Sequence, residues 1–86
     1  MNLEKYIGKN DHGYFIRINN LVMDSEIAGH LDLTYDEYIG ILKQHNAFYY
    51  RTSGYLFDNL NDLELALMTL EPYIIMEKLM EGSLWI

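Results

Sequence analysis

The densest set of metal-ligating side chains in the sequence is Asp24-x-Glu26-x-x-x-His30-x-Asp32. Carboxylates and an imidazole suit a divalent ion, but this spacing matches neither an EF-hand loop nor a zinc motif. Solvated surface charge explains the stretch without a ligand, so no metal or other cofactor is assigned to it. His12, His30 and His45 are scattered along the chain, and His45 falls where a helix C-terminus favours a cation. The sequence holds no Gly-x-Ser-x-Gly, no His-Glu-x-x-His, no phosphate-binding glycine loop and no cysteine nucleophile. With no nucleophile–base constellation to support catalysis, a non-enzymatic role is expected.

The distribution of acids is more informative. Thirteen Asp and Glu face six Lys and Arg, a net charge of −7. Asp24, Glu26, Asp32, Asp36 and Glu37 fall in one stretch with no Lys or Arg among them, and Asp58, Asp62, Glu64, Glu71 and Glu77 in another. Acids in the first turn of a helix offset its dipole by about 0.3–1 kcal/mol each, which explains several of them locally. Dipole compensation does not explain the missing bases, because ordinary surfaces intersperse both signs. A domain of this length is roughly 25–30 Å across. B-DNA of that length carries on the order of 15 phosphates, so seven net charges on one face approach a DNA mimic.

Tyrosine is the second unusual feature, eight in 86 residues. It supplies stiff contact area with a polar tip and suits interfaces. Tyr49 and Tyr50 are adjacent in a strand-like run, so they point to opposite faces. One is expected under the helices, and the other with Phe15 on an open sheet face. The final Leu84, Trp85 and Ile86 are apolar and are expected to dock on their own domain or on a second copy as a homodimer contact.

One domain over residues 1–86 is expected from the length. Absence of cysteine favours a reducing compartment. The first residues resemble no signal peptide, and the longest apolar run, Tyr73-Ile74-Ile75-Met76, is far short of a bilayer span. A cytoplasmic location is expected, with no membrane contact. With no basic patch, direct nucleic-acid binding is disfavoured, whereas a basic protein partner is not.

Several elements must position these residues. Residues 3–7, Tyr14-Phe15-Ile16-Arg17-Ile18 and Leu21-Val22-Met23 read as a three-stranded meander, the last two joined through Asn19-Asn20. Residues 24–32 are polar, contain Gly29 and read as a surface loop. Thr34-Tyr35-Asp36-Glu37 fits a capping box, with Leu33 and Tyr38 as its hydrophobic staple and Asn46 as the helix stop. Residues 47–50 and 55–57 flank a four-residue loop, Arg51-Thr52-Ser53-Gly54. Asn61 with Glu64 predicts a second capped helix, buried through Leu63, Ala66, Leu67 and Leu70, kinked or restarted at Pro72 and ended by Gly82.

The expected fold is α+β: a small antiparallel sheet of about five strands, order β-β-β-α-β-β-α, with two helices packed on one face. In size, acidity and lack of catalytic residues the chain is similar in general character to small phage or mobile-element proteins of anti-restriction or anti-CRISPR type. That likeness aligns no motif and transfers no residue. It implies an inhibitor that occupies a basic, nucleic-acid-binding surface of a host protein. Asp24, Glu26, Asp32, Asp36 and Glu37 would supply charge, and Tyr35 and Tyr49 would be anchors. The alternative is a homo-oligomeric assembly protein held by Leu84, Trp85, Ile86 and the open sheet face.

Overall fold

The computed structural model describes residues 3–83, with side chains described for residues 3–75. After a single 3-10 turn, Glu4–Tyr6, the chain forms β1 (Ile7–Asn10) and β2 (Gly13–Ile16), then α1 (Asp24–His30) and α2 (Tyr35–Gln44). A second ribbon, β3 (Phe48–Tyr50) and β4 (Gly54–Leu56), leads into α3 (Leu60–Ser83).

Asn10 makes the first turn, its Oδ1 accepting from the amides of His12 (2.8 Å) and Gly13 (3.2 Å). The register pairs Gly8 with Phe15, and the Phe15 ring lies where a Cβ on Gly8 would sit. In the second ribbon Tyr50 pairs with Gly54, which leaves a three-residue loop rather than four. The Ser53 amide donates to the Tyr50 carbonyl (3.0 Å), and Gly54 at φ +78° closes the hairpin. A three-residue loop ending in a left-handed residue matches the right-handed twist of its strands. The backbones of the two ribbons are bridged at Tyr14 and Phe57, which exchange hydrogen bonds of 2.9 and 2.8 Å.

The fold is α+β, with three helices and two two-stranded antiparallel ribbons in place of one sheet of about five strands. Residues 21–23 do not form a strand. Asn19 turns the chain at φ +56°, only Leu21 bridges back to Ile18, and Val22 and Met23 stay exposed. The segment expected to be a loop is largely α1. Ile27, Ala28 and Leu31 recur at helical spacing and are buried, while Gly29 is exposed, where its backbone cost of about 1 kcal/mol is offset by that burial. Leu33 donates to the Ala28 carbonyl and Asp32 to Gly29, with Asp32 at φ +59°. These bonds close α1 in a Schellman turn.

The Thr34–Glu37 capping box forms as expected, both bonds present at 3.1 and 2.9 Å. Asn46 ends α2 at φ +69°, and the Ala47 amide reaches back to the Leu42 carbonyl. Beyond it, α3 is capped two residues earlier than expected. Asn59 Oδ1 accepts from the Asp62 amide (2.8 Å), and Asn59 Nδ2 donates to the Asp62 carboxylate (2.9 Å). It continues through Pro72 without a break; the Met68 carbonyl that loses its partner there belongs to an exposed residue.

The core joins Ile16, Ile18, Ile27, Leu31, Tyr38, Leu42 and Phe57 to the buried stripe of α3: Leu63, Ala66, Leu67, Leu70 and Ile74. Full burial of each large apolar side chain contributes roughly 1.5–3 kcal/mol. The Thr69 hydroxyl donates to the Leu65 carbonyl and accepts from His45 Nε2 at 3.1 Å, which ties the end of α2 to α3. Among the described residues no helix is long and apolar enough to cross a membrane.

Candidate functional site

Four segments far apart in sequence line one cleft of about 480 Å³. Val22, Met23, Asp24 and Ser25 come from the entry to α1, Tyr35 from the first position of α2, and Tyr49 with residues 51–54 from the second hairpin. Asn10 and Phe15 of the first hairpin complete the lining.

Asp24 is the anchor of this arrangement. Its Oδ2 accepts from the Tyr55 amide at 3.1 Å, a bond between α1 and β4. The same oxygen lies 2.8 Å from where a Cβ on Gly54 would be, so Gly54 is required both for its left-handed φ and for this approach. Partial burial pushes the Asp24 carboxyl above its usual range, and the Tyr55 hydrogen bond opposes that rise. Among the described residues Asp24 has no ion-pair partner.

Aromatic rings surround it. Tyr49 and Tyr55 are cross-strand partners whose rings meet edge to face at 5.4 Å. Tyr35 has its hydroxyl pushed up by desolvation and by the nearby negative charge of Asp24, with smaller effects from Tyr55, Tyr49 and Asp36. Lys43 of α2 sits over the Tyr55 ring at 5.7 Å. Beneath the surface Tyr38 is fully buried, its hydroxyl has no hydrogen-bond partner among the described residues, and burial followed by the Asp24 charge pushes it strongly upward.

Of the residues expected to bind a partner, Asp24, Tyr35 and Tyr49 come together in the cleft. Glu26, Asp32, Asp36 and Glu37 are exposed and do not line it. Asp32 has a backbone role at the end of α1. Glu37 holds the capping box, and its bonds to Thr34 lower its carboxyl below the ordinary range. Residues 84–86 lie outside the described residues. Neither Tyr49 nor Tyr50 packs under the helices. Tyr49 is 61% exposed in the cleft, and Tyr50 on the other face stacks on His12 at 4.0 Å, joining the tips of the two hairpins.

Val22, Met23, Gly54 and Tyr55 were not singled out from sequence as site residues. Val22 and Met23 read in sequence as part of a strand, and it is the fold that leaves them exposed beside the acids of α1. The Asp24–His30–Asp32 ligand set is dispersed, because α1 places Asp24 and Asp32 at opposite ends. Among the described residues no group of three or more His, Cys, Asp or Glu could hold a metal ion.

The arrangement offers a half-buried carboxylate, tyrosine faces and exposed aliphatic side chains in one concavity, the chemistry of a binding site for a group with a positive head and an apolar stem. Comparison with protein families, curated proteins and solved structures returns no match for this chain.

Proposed function

We propose that the chain is a protein-interaction module that uses its acidic, tyrosine-rich face to occupy a basic surface on another protein. The observation that carries this reading is the meeting of Asp24, Tyr35 and Tyr49 in one cleft, rimmed by the exposed apolar side chains of Val22 and Met23. Large exposed aromatic and aliphatic side chains grouped around a concavity mark interaction sites, and tyrosine is enriched at their centres. The net charge of −7 favours a basic partner through steering. A basic patch is the footprint of a nucleic-acid-binding surface, which makes such a surface the concrete candidate. In this reading the chain is an inhibitor or modulator in the cytoplasm that competes with nucleic acid for such a surface, and it does no chemistry itself.

The test is capture of a partner by the tagged chain, eluted with rising salt and separately with duplex DNA. The expected partner is released by both. A chain carrying Glu26→Gln, Asp36→Asn and Tyr49→Ala is expected to release it at clearly lower salt. A partner indifferent to DNA and to these substitutions overturns the reading.

A second reading has an observation of its own. Leu65, Met68, Pro72 and Ile75 are exposed and follow a three-four-three spacing along α3, a second apolar stripe beside the buried one. A helix apolar on both sides is normally covered on both, and a second copy of the chain would cover it by pairing α3 with α3. Solution mass that rises with concentration and falls to the monomer in Leu65→Gln/Met68→Gln favours this assembly; a monomer at every concentration removes it.

A further inference from the structure

We propose that the cleft is an arginine-binding site, in which the guanidinium group of a partner protein's arginine is held at Asp24 between the rings of Tyr35 and Tyr49. This rests on the interaction reading above and names the group that the face takes up.

The carboxylate is already oriented for such a task. Its Oδ2 is held by the Tyr55 amide, while its Oδ1 accepts no hydrogen bond among the described residues. Asp24 therefore lines the cleft with a carboxylate that is held at one oxygen and has no ion-pair partner among the described residues. The rings of Tyr35 and Tyr49 line the same space, and among the described residues neither has a cation over it.

The molecule's own lysines show the chemistry at work. Lys5 lies over Tyr6 at 5.1 Å, Lys9 over Tyr14 at 5.3 Å and Lys43 over Tyr55 at 5.7 Å. Tyr55, the third ring of the cluster, is thus already served from within the chain. Tyr35 and Tyr49 are the tyrosines of the cleft lining left for a cation from outside. Val22 and Met23 offer apolar surface to the methylene stem behind that cation.

Arginine fits better than lysine. Its planar guanidinium stacks on tyrosine, forms paired bonds with a carboxylate and is more weakly hydrated than an ammonium. A volume of about 480 Å³ also leaves room for residues flanking the arginine. Arg51 lines the cleft too and makes no ion pair with Asp24 among the described residues. A bound arginine meets it as a like charge, so its removal should tighten binding.

The probe is an arginine blocked at both ends, N-acetylarginine methylamide, titrated into the isotope-labelled full chain and followed by amide shifts. Saturable shifts are expected at Tyr35, Gly54 and Tyr55. The uncharged citrulline analogue should leave them unmoved. Asp24→Asn keeps an acceptor for the Tyr55 amide and should weaken the probe about tenfold, as expected when a charge-assisted bond becomes a neutral one. Tyr49→Ala, at an exposed position, should also weaken it, and Arg51→Ala should strengthen it. No saturable shift, an equal response to citrulline, or an unchanged response in Asp24→Asn overturns the assignment. If the probe fails while a salt-labile basic partner is still captured, this inference falls and the wider reading stands. If the probe binds as described and no basic partner is found, the arginine site stands without it.

Discussion

The Asp24 carboxylate and the Tyr55 amide, 31 residues apart in sequence, are joined by a 3.1 Å hydrogen bond that fixes the start of α1 against the second hairpin. That bond joins two of the segments that line the cleft. The close approach depends on Gly54, whose backbone passes Asp24 with no space for a side chain.

Gly54→Ala is therefore expected to destabilise the chain by about 1–3 kcal/mol, since a left-handed φ and a steric conflict act together. Urea unfolding measures this. Adding Asp24→Ala should recover part of the loss, because the conflict disappears while the backbone strain stays. Strictly additive losses would show that the two residues do not meet.

Tyr38→Phe is expected to leave stability unchanged or to raise it by about 1 kcal/mol. The buried hydroxyl has no partner among the described residues, so removing it takes away a desolvated polar group and breaks none of their bonds. A loss of stability in thermal or urea unfolding would mean that the hydroxyl is bonded.

Two carboxylates give opposite dependences on pH. Burial raises the Asp24 pKa in the folded chain above its ordinary 3.8, so the folded state holds that proton more tightly than the unfolded state does. Stability from this group therefore falls as pH rises from 3.8 through the raised value. Glu37 is lowered below its ordinary 4.5 by its bonds to Thr34, so its contribution is present above 4.5 and is lost as pH falls through the lowered value. Unfolding curves across this acidic range should show Asp24→Asn removing a downward slope and Glu37→Ala removing an upward one. Slopes of the same sign in both variants would contradict these environments.

Asp32→Gly should stabilise the chain by up to about 1 kcal/mol, because the residue closes α1 at φ +59° and glycine adopts that conformation without penalty. Partner binding should weaken by no more than the loss of one steering charge, since Asp32, like Glu26 and Asp36, lies off the cleft. A marked loss of affinity would return Asp32 to the binding face.

What the sequence revealed follows the range of the interactions involved. The capping box at Thr34 and Glu37 and the stop at Asn46 are set by neighbours within a turn or two, and both are found in place. Asn59 with Asp62 and Asn61 with Glu64 satisfy the same local rule. The earlier pair caps α3 because Phe57, held by Tyr14 across the ribbons, releases the chain just before it. α1 was obscured by Gly29 and by polar residues, although Ile27, Ala28 and Leu31 already had helical spacing.

The site was legible as residue types and not as a place. Asp24, Tyr35 and Tyr49 stand out by charge and aromaticity, but their meeting depends on the packing of α1, α2 and the second hairpin, which no local pattern encodes. Glu26, Asp36 and Glu37 looked equivalent to Asp24 in sequence. Only the fold separates a half-buried carboxylate from acids that cap or solvate a helix.

The most direct test of the interaction face is affinity capture with the native chain beside an Asp24→Asn/Tyr35→Ala/Tyr49→Ala variant, each washed with duplex DNA before elution in rising salt. The account predicts that the native chain retains a basic partner until DNA or moderate salt displaces it, and that the variant, folded as judged by its unfolding transition, retains far less. A partner held equally by both chains, or one that DNA does not displace, would contradict it.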